Sequence, residues 1–392
     1  MDLTELIYRA KKWYALFPGI VRPTSARFLH HHYVRRATAR SLSRALIDAI
    51  VGLAFQAWIP FRARAVQRRF GFDNAWRKRV VAISRARFAD PNDVALFRIE
   101  HADQLDTYIR RFEDAAMNKL INPLGWTPAC VLADKERFYQ RCAAADLPHP
   151  AMVAVSQDGR VKLLAATRKA PLLAKPARGE GGRGVGFVDL DPAVAASPAA
   201  FAAWMKQEYG RRGGKWIIQH RLTAHPALRQ LALGALATAR ITTILNETGM
   251  PEVVSAVLRF PSDPRSQVDN MKAGGLLAPI DLATGRLGVA CHGYGGGDHA
   301  IHPVTQARIV DFVLPDWEAA KGLAIRAHRA AFGDYALIGW DIGLTEHGPM
   351  LVEGNAKPGV LMPQRACRQG LGSQRYGVLL AFQLERAAAT KA

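Results

Sequence analysis

The chain has 392 residues, is 49% hydrophobic and 22% charged, and carries a formal net charge of +20. That length and apolar content support sizeable buried cores in two or three structural units. Its four cysteines, Cys130, Cys142, Cys291 and Cys367, fall at scattered spacings with no CxxC, which speaks for free thiols and against a disulfide framework or a zinc ribbon.

The charge is uneven. Residues 1–88 hold 18 Lys or Arg against 4 Asp or Glu, so most of the excess lies in an N-terminal region that reads as mainly helical through about residue 115. No secretory signal precedes a cleavage site, and the expected location is cytoplasmic, or peripheral at the inner membrane surface. His30-His31-His32 lies among arginines and reads as solvated surface. Ala45 to Phe61 is apolar but interrupted by Asp48 and Gln56, and is shorter than the about 20 residues that a spanning helix needs. Arg35, Arg36, Arg40 and Arg44 precede it; Arg62, Arg64, Arg68 and Arg69 follow. Two readings of this stretch stand. One is a helix at an anionic membrane surface with Phe55 and Trp58 facing inward, making residues 35–69 a peripheral membrane contact. The other, which is favoured, is a helical hairpin packed on the following domain with a basic solvated face. The same charge would attract a polyanion, either RNA or an acidic polysaccharide. For a tRNA partner the charge is the sole argument, because no motif of stacking aromatics accompanies it.

Asp90-Pro91-Asn92-Asp93 reads as a loop before Val94 to Phe97, and Ala102 to Arg111 as a further helix. In residues 171–190, an apolar run ends in Lys175, a loop with Gly179, Gly181, Gly182, Gly184 and Gly186 follows, and a strand resumes through Val188. Glycines let backbone N–H groups approach phosphate oxygens, and Lys175 adds a cation for the same charge. The spacing is neither a P-loop nor a dinucleotide fingerprint, and fits a glycine-rich hairpin lid over phosphates.

His292, His299 and His302 lie in a stretch rich in glycine, read equally as an acceptor-binding loop or an irregular surface loop; their spacing matches no standard zinc pattern. His328, in an Ala-rich helical segment from Trp317 to Phe332, reads as a helix-face or core histidine. In residues 338–359, alternating apolar residues flank TEHGP, which predicts a β-hairpin centred near His347. That register sets Asp341 opposite Glu353, with Asn355 on the same face. Two carboxylates and a carboxamide are hard oxygen donors of the kind that suit Mg²⁺.

These two segments resemble the ATP-grasp superfamily, and most closely its sugar-transfer-associated branch, relatives of the α-L-glutamate ligases. The resemblance covers roughly the last two-thirds of the chain. Asp134-Lys135, Phe138 and Leu147-Pro148-His149-Pro150 look like the family's first phosphate lysine and its following helix. Lys175 with Gly181, Gly182 and Gly184 looks like the second phosphate lysine and the lid. WIIQHRL, residues 216–222, resembles the hinge strand, with Gln219, His220 and Leu222 lining adenine; Gln219 stands where many members carry Glu. Thr238 to Thr242 and Asp269 to Gly275 resemble two further motifs.

The resemblance implies an α+β ATP-grasp fold, two subdomains clasping ATP, over 116–392 with the lid near 150–225, after a basic helical region over 1–115. It implies ATP and Mg²⁺ as cofactors, with Asp341, Glu353 and Asn355 on the metal and Lys135, Lys175 and Arg240 supplying positive charge. Arg240, Asn270, Lys272 and the Gly274-Gly275 turn are the expected catalytic groups at an acylphosphate or its carboxylate. Lys357 adds a cation beside this site. The implied reaction is carboxylate activation and amide formation between small-molecule substrates, with a glycan or lipid-linked acceptor fitting the family's cell-envelope association. The rival is an ATP-binding scaffold without turnover; the intact ligand set favours the enzyme.

Overall fold

The computed structural model describes residues 27–165, 171–179, 182, 184–266 and 274–390. Thr127–Thr243 with Ala256–Ala356 forms one compact unit. The second holds Ile244–Ser255, the residues from Lys357 onward and the described residues through Trp126.

The first unit holds one whole sheet and most of a second. β1 (Met152–Gln157), β2 (Arg160–Leu163), β3 (Leu172–Pro176), β4 (Gly186–Val188) and β5 (Lys215–His220) form a five-stranded sheet in the order β2-β1-β5-β3-β4. β3 and β4 pair antiparallel, Leu172 with Val188 and Ala174 with Gly186, so the glycine segment is the hairpin connection that the sequence predicts. The Pro198–Gly210 helix covers this sheet. Ser197 caps it by accepting from the Ala200 amide, and Pro198 occupies the first turn, where its missing N–H costs nothing. Phe201, Met205 and Tyr209, one helical turn apart, are buried against Val153, Leu172, Ala174 and Ile218. Each such side chain contributes roughly 1.5–3 kcal/mol by leaving water.

The second sheet has seven strands: β6 (Thr238–Leu245), β7 (Pro251–Phe260), β8 (Leu276–Pro279), β9 (Ala290–His292), β10 (Asp298–His299), β11 (Leu337–Thr345) and β12 (Gly348–Asn355), ordered β10-β9-β8-β7-β6-β11-β12. Every residue of β6 and of β11 is buried, as central strands covered on both faces require. The Trp317–Ala331 helix turns Ala320, Leu323, Ala324, Ala327 and His328 into this core. His328 is thus the core histidine of the expectation. Its Nδ1 lies 2.8 Å from Thr243 Oγ1 and its Nε2 2.8 Å from the Tyr335 carbonyl. A carbonyl only accepts, so Nε2 carries a proton, and burial pushes the imidazole down to about 4, which keeps the ring neutral near pH 7.

The β11–β12 hairpin turns at Glu346-His347, and a bulge then shifts the register: Ile342 faces Leu351 but Asp341 faces Glu353, with Val352 skipped. Without that extra residue Asp341 would face Val352, so the predicted pairing of the two carboxylates depends on the bulge. Gly354 is fixed by crowding, since a Cβ there would lie 2.7 Å from Leu132 Cδ2 and 3.1 Å from Phe138 Cε2.

The other unit is mainly helical in its N-terminal part, as expected, with three local corrections. Asp90 to Asp93 is not a loop. Pro91 opens the Pro91–Phe97 helix and Asp90 caps it, accepting from the Asn92 amide at 2.9 Å. The helix expected over Ala102 to Arg111 is instead a 3-10 turn, Ala102–Asp106, followed by a new helix, Arg111–Ile121. The interruption is tertiary: the Gln364 side chain takes both backbone groups of Ile109 at 2.8 Å each, and Glu113 accepts from the Arg110 amide to start the next helix. Of the three histidines read as solvated, His30 and His31 are exposed, but His32 is buried. The His30–Thr38 helix turns His32 and Tyr33 inward.

The apolar stretch expected over 45–61 is part of a longer helix, Leu42–Phe70, that takes in Arg62 to Arg69. Ser41 caps its start and Gly71, with φ +70°, ends it. Asp48 is fully buried on it and paired with Arg44 at 2.9 Å and Arg40 at 3.2 Å.

Candidate nucleotide and metal site

Tyr139 is the hub of the site. Its hydroxyl accepts from Lys175 Nζ at 2.7 Å and donates to the Val352 carbonyl at 2.8 Å, with Gln219 Oε1 at 3.2 Å. Lys175, on β3, reaches it because the Lys135–Ala144 helix turns Tyr139 inward one turn after Lys135. That helix is anchored at its start. Asp134 caps it, accepting from the Glu136 amide and from Lys215 Nζ, and the Lys135 amide donates to the Ala177 carbonyl at 2.9 Å. Lys135 Nζ donates to the Gly179 carbonyl at 3.1 Å and stands 3.8 Å from Glu353 Oε2. Burial, then the neighbouring Lys135 ammonium, push the Lys175 ammonium down to about 7, with Glu353 opposing. Two buried lysines are thus offset by one partly buried carboxylate, 3.8 Å from Lys135 and acting on Lys175 through charge, an arrangement whose electrostatic cost falls when a polyanion enters.

The second cluster lies on β6, β7, β11 and β12. Arg240 binds Asp341 through Nε and, at 3.2 Å, through Nη2; Arg259 Nη2 reaches the same carboxylate at 3.0 Å and also donates to Thr238 Oγ1. Burial works to raise the Asp341 carboxyl, but Arg240 and then Arg259 outweigh it and hold it below the usual carboxylate range. Asn355 Nδ2 donates to the Gly339 carbonyl at 3.4 Å, which leaves Oδ1 as an acceptor. Glu353, only partly buried, offers its carboxylate beside it. By donor type the set fits Mg²⁺, a hard cation that takes few protein oxygens and keeps positions for water and phosphate; both Asp341 oxygens are engaged by Arg240 and Arg259, so Asp341 would join it by giving up a guanidinium contact. Among the described residues no group of three His, Cys, Asp or Glu could hold a metal ion, so the set depends on the Asn355 carboxamide.

Lys135, Lys175, Gln219 and Glu353 therefore converge, as do Arg240 and Asp341. Gln219 is buried and turned to Tyr139, and its neighbours His220 and Leu222 are partly exposed at the end of β5. The His220 and Arg221 amides already donate, to Ala151 and Pro171. Gly182 and Gly184 have φ of +69° and +76°, conformations that favour glycine, and a Cβ on Gly184 would press on Pro176 at 3.0 Å. Gly181, Asn270 and Lys272 lie outside the described residues. Lys357 belongs to the other unit, where its Nζ sits over the Trp126 ring at 4.6 Å from the centroid. His292 and His299 meet ring to ring at 5.0 Å, whereas His302 is buried with Nε2 on the Pro261 carbonyl, so the three do not form a zinc site.

Two members of the site escape the sequence argument. Tyr139 carries a signal in hindsight, an aromatic one helical turn after Lys135; Arg259 is a lone cation inside the apolar strand β7.

Comparison with known proteins adds a family. No curated protein matches the chain. Among solved structures it is similar to D-alanine–D-alanine ligase from Bacillus anthracis, at 10% identity over 67% of this chain and 71% of that one, with a TM-score of 0.39. It is similar to biotin carboxylase from Campylobacter jejuni at 13% identity over 66% of this chain and 46% of that one, with a TM-score of 0.40. These likenesses are distant, and the family match is what decides. Residues 118–377, well over half of the chain, match the sugar-transfer associated ATP-grasp family, and the chain belongs to it.

Proposed function

We propose that the chain is an ATP- and Mg²⁺-dependent ligase that joins a carboxylate to an amine through an acylphosphate. The observation that carries this is the pair of buried lysines: Lys135, beside Glu353 and hydrogen-bonded to Gly179 at the start of the glycine loop, and Lys175, hydrogen-bonded to Tyr139. That cationic excess suits the phosphates of ATP. In the first step a substrate carboxylate oxygen attacks the γ-phosphorus and ADP leaves. In the second an amine attacks the acyl carbon, phosphate leaves, and the amine gives up a proton. Lys135 and Lys175 hold the phosphates, and the glycine hairpin keeps water from the acylphosphate. Glu353, Asn355 and Asp341 would hold Mg²⁺, which neutralises phosphate charge when bound. Arg240 and Arg259, already aimed at one carboxylate, are the groups we assign to the substrate carboxylate and its acylphosphate.

The acceptor class we favour is an amino group on a glycan or a sugar precursor, in keeping with the family description. Four free thiols fit a reducing, ATP-supplied compartment such as the cytoplasm. The test is ADP and phosphate release from Mg-ATP by the purified chain against pooled amino acids and sugar acids, with Glu353→Ala as control. Pool-dependent release that the variant lacks supports the ligase. Tight ATP binding without release in any pool favours the scaffold.

A further inference from the structure

We propose that the outer face of the Leu42–Phe70 helix docks on the surface of an anionic phospholipid bilayer, with the helix axis in the membrane plane. The helix leaves unusually large apolar side chains in water: Leu42 is 91% exposed, Leu46 64%, Ile50 57%, Leu53 74% and Phe61 75%. With the exposed Ala57 these fall at steps of three and four residues, so they form one stripe. At 1.5 Å per residue the stripe runs about 28 Å. Soluble chains rarely leave so long an apolar surface unpartnered.

The opposite face is committed. Ile59, Ala63 and Val66 are buried, Ala63 within a core that includes Val80, Ile83 and Phe97. Gln56 donates to the Arg85 carbonyl at 3.2 Å, and Arg62 pairs with Asp90 at 3.1 Å. Among the described residues this is the one helix long and apolar enough to cross a membrane, with a mean hydropathy of 1.4 over its best 18-residue window. Crossing would strip its inner face from that core, whereas lying in the plane buries the outer stripe and leaves the core intact.

Charge selects lipid over a second copy of the chain. The stripe continues, at the same spacing, into the exposed Arg64 and Arg68, while Arg40 and Arg44 stand at its other end. The helix has one acidic residue, Asp48, which is buried and neutralised by those two arginines. Two copies packed stripe to stripe would bring arginines together with no exposed carboxylate on either helix. Lipid phosphates supply the missing negative charge.

The experiment is co-sedimentation of the full chain with vesicles of phosphatidylcholine alone and with about one-third phosphatidylglycerol. The bound fraction should be at least about tenfold higher on the anionic vesicles, and fall by about tenfold in Leu46→Ser/Leu53→Ser/Phe61→Ser and in Arg64→Gln/Arg68→Gln. Circular dichroism checks that both variants fold, and Phe61→Ser alone gives the same reading with a smaller perturbation. Equal binding to both vesicles, or none, overturns the proposal. So does wild-type binding by the serine variant, which would mean adsorption by charge alone. A dimer in sedimentation equilibrium that the serine variant dissolves would assign the stripe to a second copy instead.

Discussion

The hydroxyl of Tyr139 lies 2.8 Å from the carbonyl of Val352, the residue that the β11–β12 ladder skips. The bulge that brings Asp341 opposite Glu353 frees that carbonyl, and Tyr139 satisfies it while also accepting from Lys175. The carboxylate pair and Lys175 are thus tied through one side chain. Tyr139→Phe removes the tie and takes a hydrogen-bond partner from the partly buried Val352 carbonyl and from the buried Lys175 ammonium, at a cost of about 1–3 kcal/mol. Urea denaturation should show a lower midpoint at unchanged slope.

Glu353→Ala should lower ADP release by about a hundredfold or more, as loss of a group that stabilises transferring charge does. Its circular dichroism should match wild type, because Glu353 is only partly buried. An equally active variant would remove Glu353 from the metal set.

ATP binding should take up a proton above neutrality. In the free protein burial and Lys135 hold the Lys175 ammonium at about 7, and phosphates beside it would raise that value toward the ordinary one. Below pH 7 affinity should be flat in this group. Above it, affinity should fall by up to about tenfold per pH unit until the bound-state value is passed. Calorimetry at pH 8 in buffers of different ionisation enthalpy reads the proton directly, and Lys175→Met should abolish the uptake.

Asp341 has two guanidinium partners, so the losses should be unequal. Arg240→Met leaves Arg259 at 3.0 Å but removes the bidentate partner of a buried carboxylate, and should cost about 3–5 kcal/mol. Adding Asp341→Asn should recover part of that loss. Strictly additive effects in thermal or urea unfolding would contradict the pairing.

His328 should make the fold acid-sensitive. Burial holds it at about 4 against 6.5 for the unfolded chain. The unfolded chain therefore takes up this proton first as pH falls, and the stability present above 6.5 is lost between 6.5 and 4 at up to about 1.4 kcal/mol per pH unit. His328→Gln should flatten that slope while keeping one hydrogen bond to Thr243 or Tyr335.

The candidate site residues and the Asp341–Glu353 pairing were legible locally in the sequence, and the distant side chains that fix them were not. Lys175 before a glycine run, and Asp341, Glu353 and Asn355 around a turn, are legible because strand alternation and loop composition act over a few residues. The fold family followed from such motifs in order. Tertiary structure decided what depends on distant partners: the bulge at Val352, the Tyr139 hydroxyl between Lys175 and that bulge, and Arg259 meeting Asp341 from a separate strand. It also decided that Gln364 would interrupt a helix at Ile109, and that His32 would turn inward. On the Leu42–Phe70 helix, composition showed apolar residues between arginines, but only packing could show which stripe the core had left in water. Burial and pairing are properties of neighbours far along the chain, and a local pattern carries no record of them.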